Sequence, residues 1–256
     1  MDLDNYLAVI APEAELLAAT ADEAGLATPV PNCPDWTIAD LVLHVGEVHR
    51  WATAAVAGKA MKLGDVPSDS RGPSPEPADT TEWFRRGAAA LCDTLRSADP
   101  DVQYATFLMD PPAPNLLFWA RRQALETTVH RTDAESAVGR CTPVANDVAL
   151  DGLDEFLTGF VPRSRTPLRA DVPRRLQIAP YDSAQRWTVS ISSEAPVTRR
   201  HVVGAGDAAD ADCVVSGPAG DLYLALWNRA PLDTLTIDGD RASIDLLRDN
   251  VHIRWA

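Results

Sequence analysis

The chain has 256 residues, 46% of them hydrophobic and 23% charged, and a formal net charge of −14. Such a composition can bury a core, in one large domain or two small ones. The acidic balance argues against nucleic acid, where affinity rests on Lys and Arg neutralising phosphates, and against an anionic membrane surface.

The opening segment, MDLDNYLAVIAPEAELLAAT, is acidic and interrupted by Pro12, with no basic start and no small-residue cleavage site. No signal peptide is expected. Leu3, Leu7, Ile10, Leu16 and Leu17 recur at helical spacing and predict a first helix over residues 2–25, stopped by Gly25. ATPVPNCPDW follows, and its prolines predict a loop. Thr37 reads as an N-cap with Asp40 in the capping-box position. The helix it opens, TIADLVLHVGEVHRWATAAVAG, is expected to run to Gly58. Residues 62–79, with four prolines and two glycines, predict a long loop. TTEWFRRGAAALCDTLRSAD is a third helix. LLFWARRQALETTVHRTDAESAVG is a fourth, ending at Gly139. Four amphipathic helices with one or two long connections describe a four-helix bundle.

The second half changes character. A helix near 146–160 is followed by the Pro- and Arg-rich PRSRTPLRADVPRR. RLQIAP, RWTVSIS, DCVVSG and TLTIDG then alternate as short strands, interleaved with the helices PAGDLYLALWNR and DRASIDLLRDN. The expected fold class is therefore α+β: a bundle over residues 1–142, then a small sheet with packed helices over 143–256. No apolar run approaches the roughly 20 residues that span a bilayer. Cys33, Cys92, Cys141 and Cys213 are scattered with no C-x-x-C pair, which predicts neither a disulfide framework nor a cysteine zinc knuckle, and a reducing cytoplasm.

Two residues in the fourth helix invite chemistry. Glu126 and His130 are four apart and so about 40° apart on one face. One metal ion could take both, but it would need a further ligand. Five histidines are available: His44, His49, His130, His201 and His252. His201 and His252 read as surface or sheet residues. His44 and His49 are about 140° apart on the second helix, which does not suit one ion. His44 falls in the apolar stripe of Leu41, Val45 and Val48 and points into the bundle. Two readings stand at this point. Glu126 and His130 could be a solvated pair and His44 a hydrogen-bonded core histidine. Equally, all three could project inward as ligands, a known device of helix bundles.

The stretches VPNCPDWTIADLVLHVGEVHRWA and FWARRQALETTVHRTDAESAVG resemble the mycothiol-dependent maleylpyruvate isomerase family, within the DinB-like metalloenzyme superfamily. The first family pattern, V-P-x-C-P-x-W-T-V-x-D-L-V-x-H, is nearly complete from Val30 to His44. The second, F-W-x-R-R-x-A-H-E-x-x-V-H-R-x-D-A-E, matches Phe118 to Glu135, with Leu125 in place of the family's histidine. That histidine is not a ligand, so the departure leaves the ligand set intact. GPAGDLYLALWNRAPLDTLTIDGD resembles the family's C-terminal domain, which is similar to sterol-carrier-protein folds.

The resemblance implies a DinB-like bundle with His44, Glu126 and His130 as metal ligands. Zinc is the expected ion, though the donor types suit other first-row divalent metals. It implies mycothiol as cosubstrate and an isomerase or S-transferase acting on a small organic acid or electrophile. Arg229 resembles a family arginine facing the cleft and is the candidate catalytic residue; the other reading is a helix-end arginine serving the helix C-terminus. Competing functions are a metal-dependent hydrolase using bound water and a non-catalytic small-molecule binder. Other marked residues take ordinary roles. At least two of Arg121, Arg122 and Arg131 are expected at the surface, and Asp133 on a solvated helix face. Cys33 reads as a buried structural thiol with nothing basic beside it. Trp36, Trp51, Trp83 and Trp119 are expected to pack the bundle.

Overall fold

The computed structural model describes residues 1–109, 111–203 and 211–253. It divides into two compact units, Met1–Phe107 with Pro111–Pro143 and Leu108–Asp110 with Val144–Ala256.

The first unit is built on four helices: α1 (Leu3–Ala24), α2 (Ile38–Ala57), α3 (Thr80–Ser97) and α4 (Asn115–Ser136). α1 packs on α3 and α4, and α2 on the same two. Asp2 with Asn5 and Thr37 with Asp40 form reciprocal capping boxes that satisfy the first free amides of α1 and α2. Pro12 does not break α1, which runs straight through it. The buried residues on either side, Ile10 and Ala14, hold the helix against the core and outweigh one lost backbone bond. The loop expected over 62–79 contains only two single 3₁₀ turns.

α2 and α3 approach closely at Gly46. A β-carbon there would lie 2.1 Å from Cζ3 of Trp83. Arg50 clamps the crossing, with its guanidinium 3.5 Å from the Trp83 ring centroid and donating to the carbonyls of Gly46 and Trp83. Gly46→Ala should therefore displace Trp83 and destabilise the protein by about 1–3 kcal/mol in urea denaturation, as overpacked cores do.

α4 is the axis of this unit: 19 of its 22 residues are buried. That burial overturns the expectation for its arginines, since Arg121, Arg122 and Arg131 are all buried. Carboxylates one turn away make this possible for two of them. Arg122 Nη2 donates to Glu126 Oε2 at 2.9 Å, and Arg131 Nη1 to Glu135 Oε2 at 2.9 Å. A charged residue signals solvent only when its partner is water, and here the partner is the next turn of the same helix.

The second unit mixes helices with one sheet. α5 (Asn146–Asp154) continues into a π-helical turn over Glu155–Phe160. The strands are β1 (Arg174–Pro180), β2 (Gln185–Ile191), β3 (Val197–Val202), β4 (Cys213–Gly217) and β5 (Thr236–Gly239). They lie in the order β3-β2-β1-β4-β5, with β1 and β4 parallel and the other neighbours antiparallel. α6 (Ala219–Leu226) and α7 (Ala242–Asn250) pack on β1 and β4. Leu176, Ile178, Trp187, Val189, Cys213 and Val215 alternate inward and are buried. β3 was not foreseen. It is an edge strand, VTRRHV, mostly exposed, and without a buried face it needs no apolar alternation to be recognised by.

Candidate metal centre

α2 and α4 bring three side chains of the first unit to one point. His44 Nε2 lies 3.4 Å from Glu126 Oε1, and His130 Nε2 lies 3.3 Å from the same oxygen. All three ligand atoms are within 4.8 Å of one another. Glu126 and His130 are buried, so neither sits on a solvated face, while His44 is partly open.

The spacing suits a shared ion. Bonds of about 2.0–2.1 Å at tetrahedral angles put neighbouring donors about 3.3 Å apart. The outer contacts suit it too. His130 Nδ1 is 2.9 Å from Asp133 Oδ2, and Asp133 is fully buried. A proton on Nδ1 leaves the Nε2 lone pair aimed at the group, the usual carboxylate–histidine arrangement at metals. Arg122 occupies the second oxygen of Glu126 and turns Oε1 inward. Two imidazoles and one carboxylate form the three-donor pattern of catalytic zinc sites, and they tolerate other divalent ions of the first row.

Electrostatics of the protein groups alone already favours a charged cluster. Burial opposes ionisation of Glu126, but hydrogen bonds with His130 and His44, and the charges of His130 and Arg122, hold its carboxyl well below the usual range. Burial likewise disfavours the His130 imidazolium, and is outweighed by hydrogen bonds with Asp133, Cys33 and Glu126, which raise its pKa. A divalent cation would take the place of that proton, because a ligating imidazole is neutral.

Asp133 is thus buried against His130 and not on a solvated face. Its signal was present in the sequence as the i, i+3 spacing from His130, which puts the two on one helix face. Cys33 also departs from expectation. It is half-buried, and its Sγ donates to Asp133 Oδ2 at 3.4 Å, beside an imidazole. No local signal could have shown this, since the two residues are 100 positions apart. Trp36 packs on the bundle core as expected and also flanks the triad, its ring centroid 4.9 Å from His44 and 6.2 Å from His130.

The remaining candidates fall elsewhere. His49 takes the core-histidine role. Its Nε2 is 2.9 Å from Thr127 Oγ1, whose own proton goes to the Gln123 carbonyl at 2.7 Å, so the imidazole is the donor. Burial, the largest influence, lowers its pKa to about 3, and it is neutral. His201 and His252 are exposed. Arg229 lies in the second unit just past α6, half-buried, with Nη1 donating to the Trp227 carbonyl at 2.8 Å.

The family model for the mycothiol maleylpyruvate isomerase N-terminal domain matches residues 8–135, and that for the MDMPI C-terminal domain matches residues 147–246. The chain belongs to the mycothiol maleylpyruvate isomerase family. Its N-terminal domain match contains His44, Glu126 and His130, and its C-terminal domain match contains Arg229. Crystal structures of the mycothiol-dependent maleylpyruvate isomerase and of a point mutant of it share the fold, each with a TM-score of 0.59 at 14% identity over 93% of both chains. A stereoselective inverting sec-alkylsulfatase from Pseudomonas sp. aligns with a TM-score of only 0.34, at 15% identity, over 84% of this chain and 33% of its own. No curated protein matches the chain in sequence.

Proposed function

We propose that the protein is a metal-dependent enzyme that uses a low-molecular-weight thiol, mycothiol or one of its kind, either to isomerise a small organic acid or to transfer the thiol's sulfur onto a small organic acid or electrophile. The observation that carries this reading is the meeting of three donors in the domain that the family shares: both imidazoles lie 3.3–3.4 Å from one Glu126 oxygen, and all three ligand atoms are within 4.8 Å of one another. His44, Glu126 and His130 would hold the ion, zinc being the first choice. Such an ion supplies Lewis acidity, lowering the pKa of a bound thiol so that thiolate is available at neutral pH.

The chain's own residues prepare that site. Asp133 keeps the proton on His130 Nδ1, Arg122 fixes the rotamer of Glu126, and the Trp36 ring packs beside both imidazoles. In the isomerase reading the thiol sulfur bonds to one carbon of a cis double bond as its π bond breaks, the adduct turns about the carbon–carbon single bond that remains, and elimination re-forms the double bond, returning the thiol with a trans product. In a transferase the sulfur stays attached. Arg229 is assigned to a substrate carboxylate, for which a guanidinium fork is the fitting partner. The first unit then serves as a DinB-like metal domain and the second as a smaller domain of sterol-carrier type. Four free cysteines agree with a reducing, cytoplasmic setting.

Zinc-loaded protein should turn over maleylpyruvate only when mycothiol is added. Turnover without any thiol would replace this reading by the hydrolase, and absence of turnover with zinc uptake intact would move the substrate elsewhere in the class. Arg229→Ala should raise KM for a carboxylate substrate about 10–100-fold, the loss of one charge-assisted hydrogen bond, with zinc content unchanged. An unchanged KM would overturn that assignment.

A further inference from the structure

The turn that carries Trp36 is itself tied down. Val30 N donates to the Trp36 carbonyl at 2.9 Å, Cys33 N to Val30 at 3.1 Å, and Trp36 N to Cys33 at 3.0 Å. Asp35 completes the turn in the left-handed region, with φ 72°. At its centre the Cys33 sulfur reaches out of the turn to Asp133 Oδ2, the same oxygen that faces His130 Nδ1, and it lies within hydrogen-bond reach of the His130 ring as well. Two donors, one from the loop and one from the imidazole, converge on a single carboxylate oxygen that is fully buried.

We propose that Cys33 is a positioning residue of the metal centre: its S–H latches the Asp133 carboxylate, and through it the ring orientation and tautomer of His130. This rests on the reading of His44, Glu126 and His130 as metal ligands. The logic is geometric. The χ2 torsion of a carboxylate is broad and leaves the group free to swing unless its donors fix it. A second donor on the same oxygen from a separate, internally bonded turn removes that freedom. The imidazole on the other side is then held as well, and outer contacts of this kind are worth substantial metal affinity.

The test is zinc affinity by chelator competition, on full-length protein, together with the visible spectrum of the cobalt(II) form. Asp133→Asn should weaken zinc binding about 10–100-fold. Cys33→Ala should weaken it roughly 3–10-fold, as expected of a weak S–H donor, and should alter the cobalt spectrum. Cys33→Ser, which restores a donor, should recover affinity to within about twofold. If Cys33 acts through Asp133, the double variant should bind zinc no more weakly than Asp133→Asn alone. Should Cys33→Ala not fold, Cys33→Val keeps the bulk without the donor and stands in for it. Unchanged zinc affinity in the donor-less variant overturns the proposal, as does a loss that adds in full to that of Asp133→Asn, or a loss that Ser does not restore. If the wild-type protein takes up no zinc, the metal reading itself fails and Cys33 falls with it. Wild-type uptake with an indifferent Cys33 removes the latch alone.

Discussion

Replacing His44 by Ala is expected to abolish metal uptake and activity together while the bundle stays folded. The remaining donors, Glu126 and His130, come from one helix and offer an ion two contacts instead of three. The loss of affinity should exceed the roughly 100-fold upper end seen for outer contacts, because a bond to the metal itself is removed. Folding should not follow it down. His44 is the partly open member of the group, with its side chain 17% exposed. α2 is held by its capping box and by Leu41, Val42 and Val45, all fully buried, and alanine is the better helix former. Metal content by atomic emission, read beside a thermal melt, separates the outcomes. Metal lost with an unchanged melt marks a site built for chemistry. A wild-type protein that unfolds when its ion is stripped marks a structural ion, and the catalytic reading then fails.

What the sequence disclosed and what it hid follow from the range of the interactions. The Thr37–Asp40 capping box is a contact over three residues, and residue type at that spacing locates it. Glu126 and His130 share a face because helical periodicity is local. His44 meets them from 82 residues away, and nothing in its spacing states that; the paired family motifs did. The same distance problem hid Cys33 behind Asp133. β3 escaped because alternation is a record of one-sided burial, and an exposed edge strand writes none. The arginines of α4 misled for a related reason. The rule that charge marks solvent assumes hydration as the only compensation. Arg122 with Glu126 and Arg131 with Glu135 supply it internally at i, i+4.

That internal compensation sets the largest expected loss of stability. Arg131 is completely buried. Its Nε donates to Glu13 Oε2 at 2.6 Å, and its Nη1 to Glu135 Oε2 at 2.9 Å and to the Thr142 carbonyl at 2.7 Å. It thereby ties α1 to α4, the helix that presents Glu126 and His130. Arg131→Met keeps much of the bulk and removes the charge, leaving two carboxylates near each other without their cation. The cost should be about 3–5 kcal/mol in urea denaturation at neutral pH. Acid should relieve part of it. Burial opposes ionisation of Glu135, but hydrogen bonds from Thr142 and Arg131 overcome this and lower its pKa. In the parent protein that depressed pKa contributes stability above the ordinary carboxylate range, lost as pH falls through the folded value. In the variant the arginine's share of that depression is gone, and protonating an orphaned carboxylate becomes favourable. The deficit should therefore narrow from pH 7 to pH 5. Adding Glu13→Gln to the variant should recover part of the loss at pH 7, because it removes one of the two unpaired charges. A deficit below about 1 kcal/mol, or one indifferent to pH and to Glu13→Gln, would mean that packing and not charge holds α1 against α4.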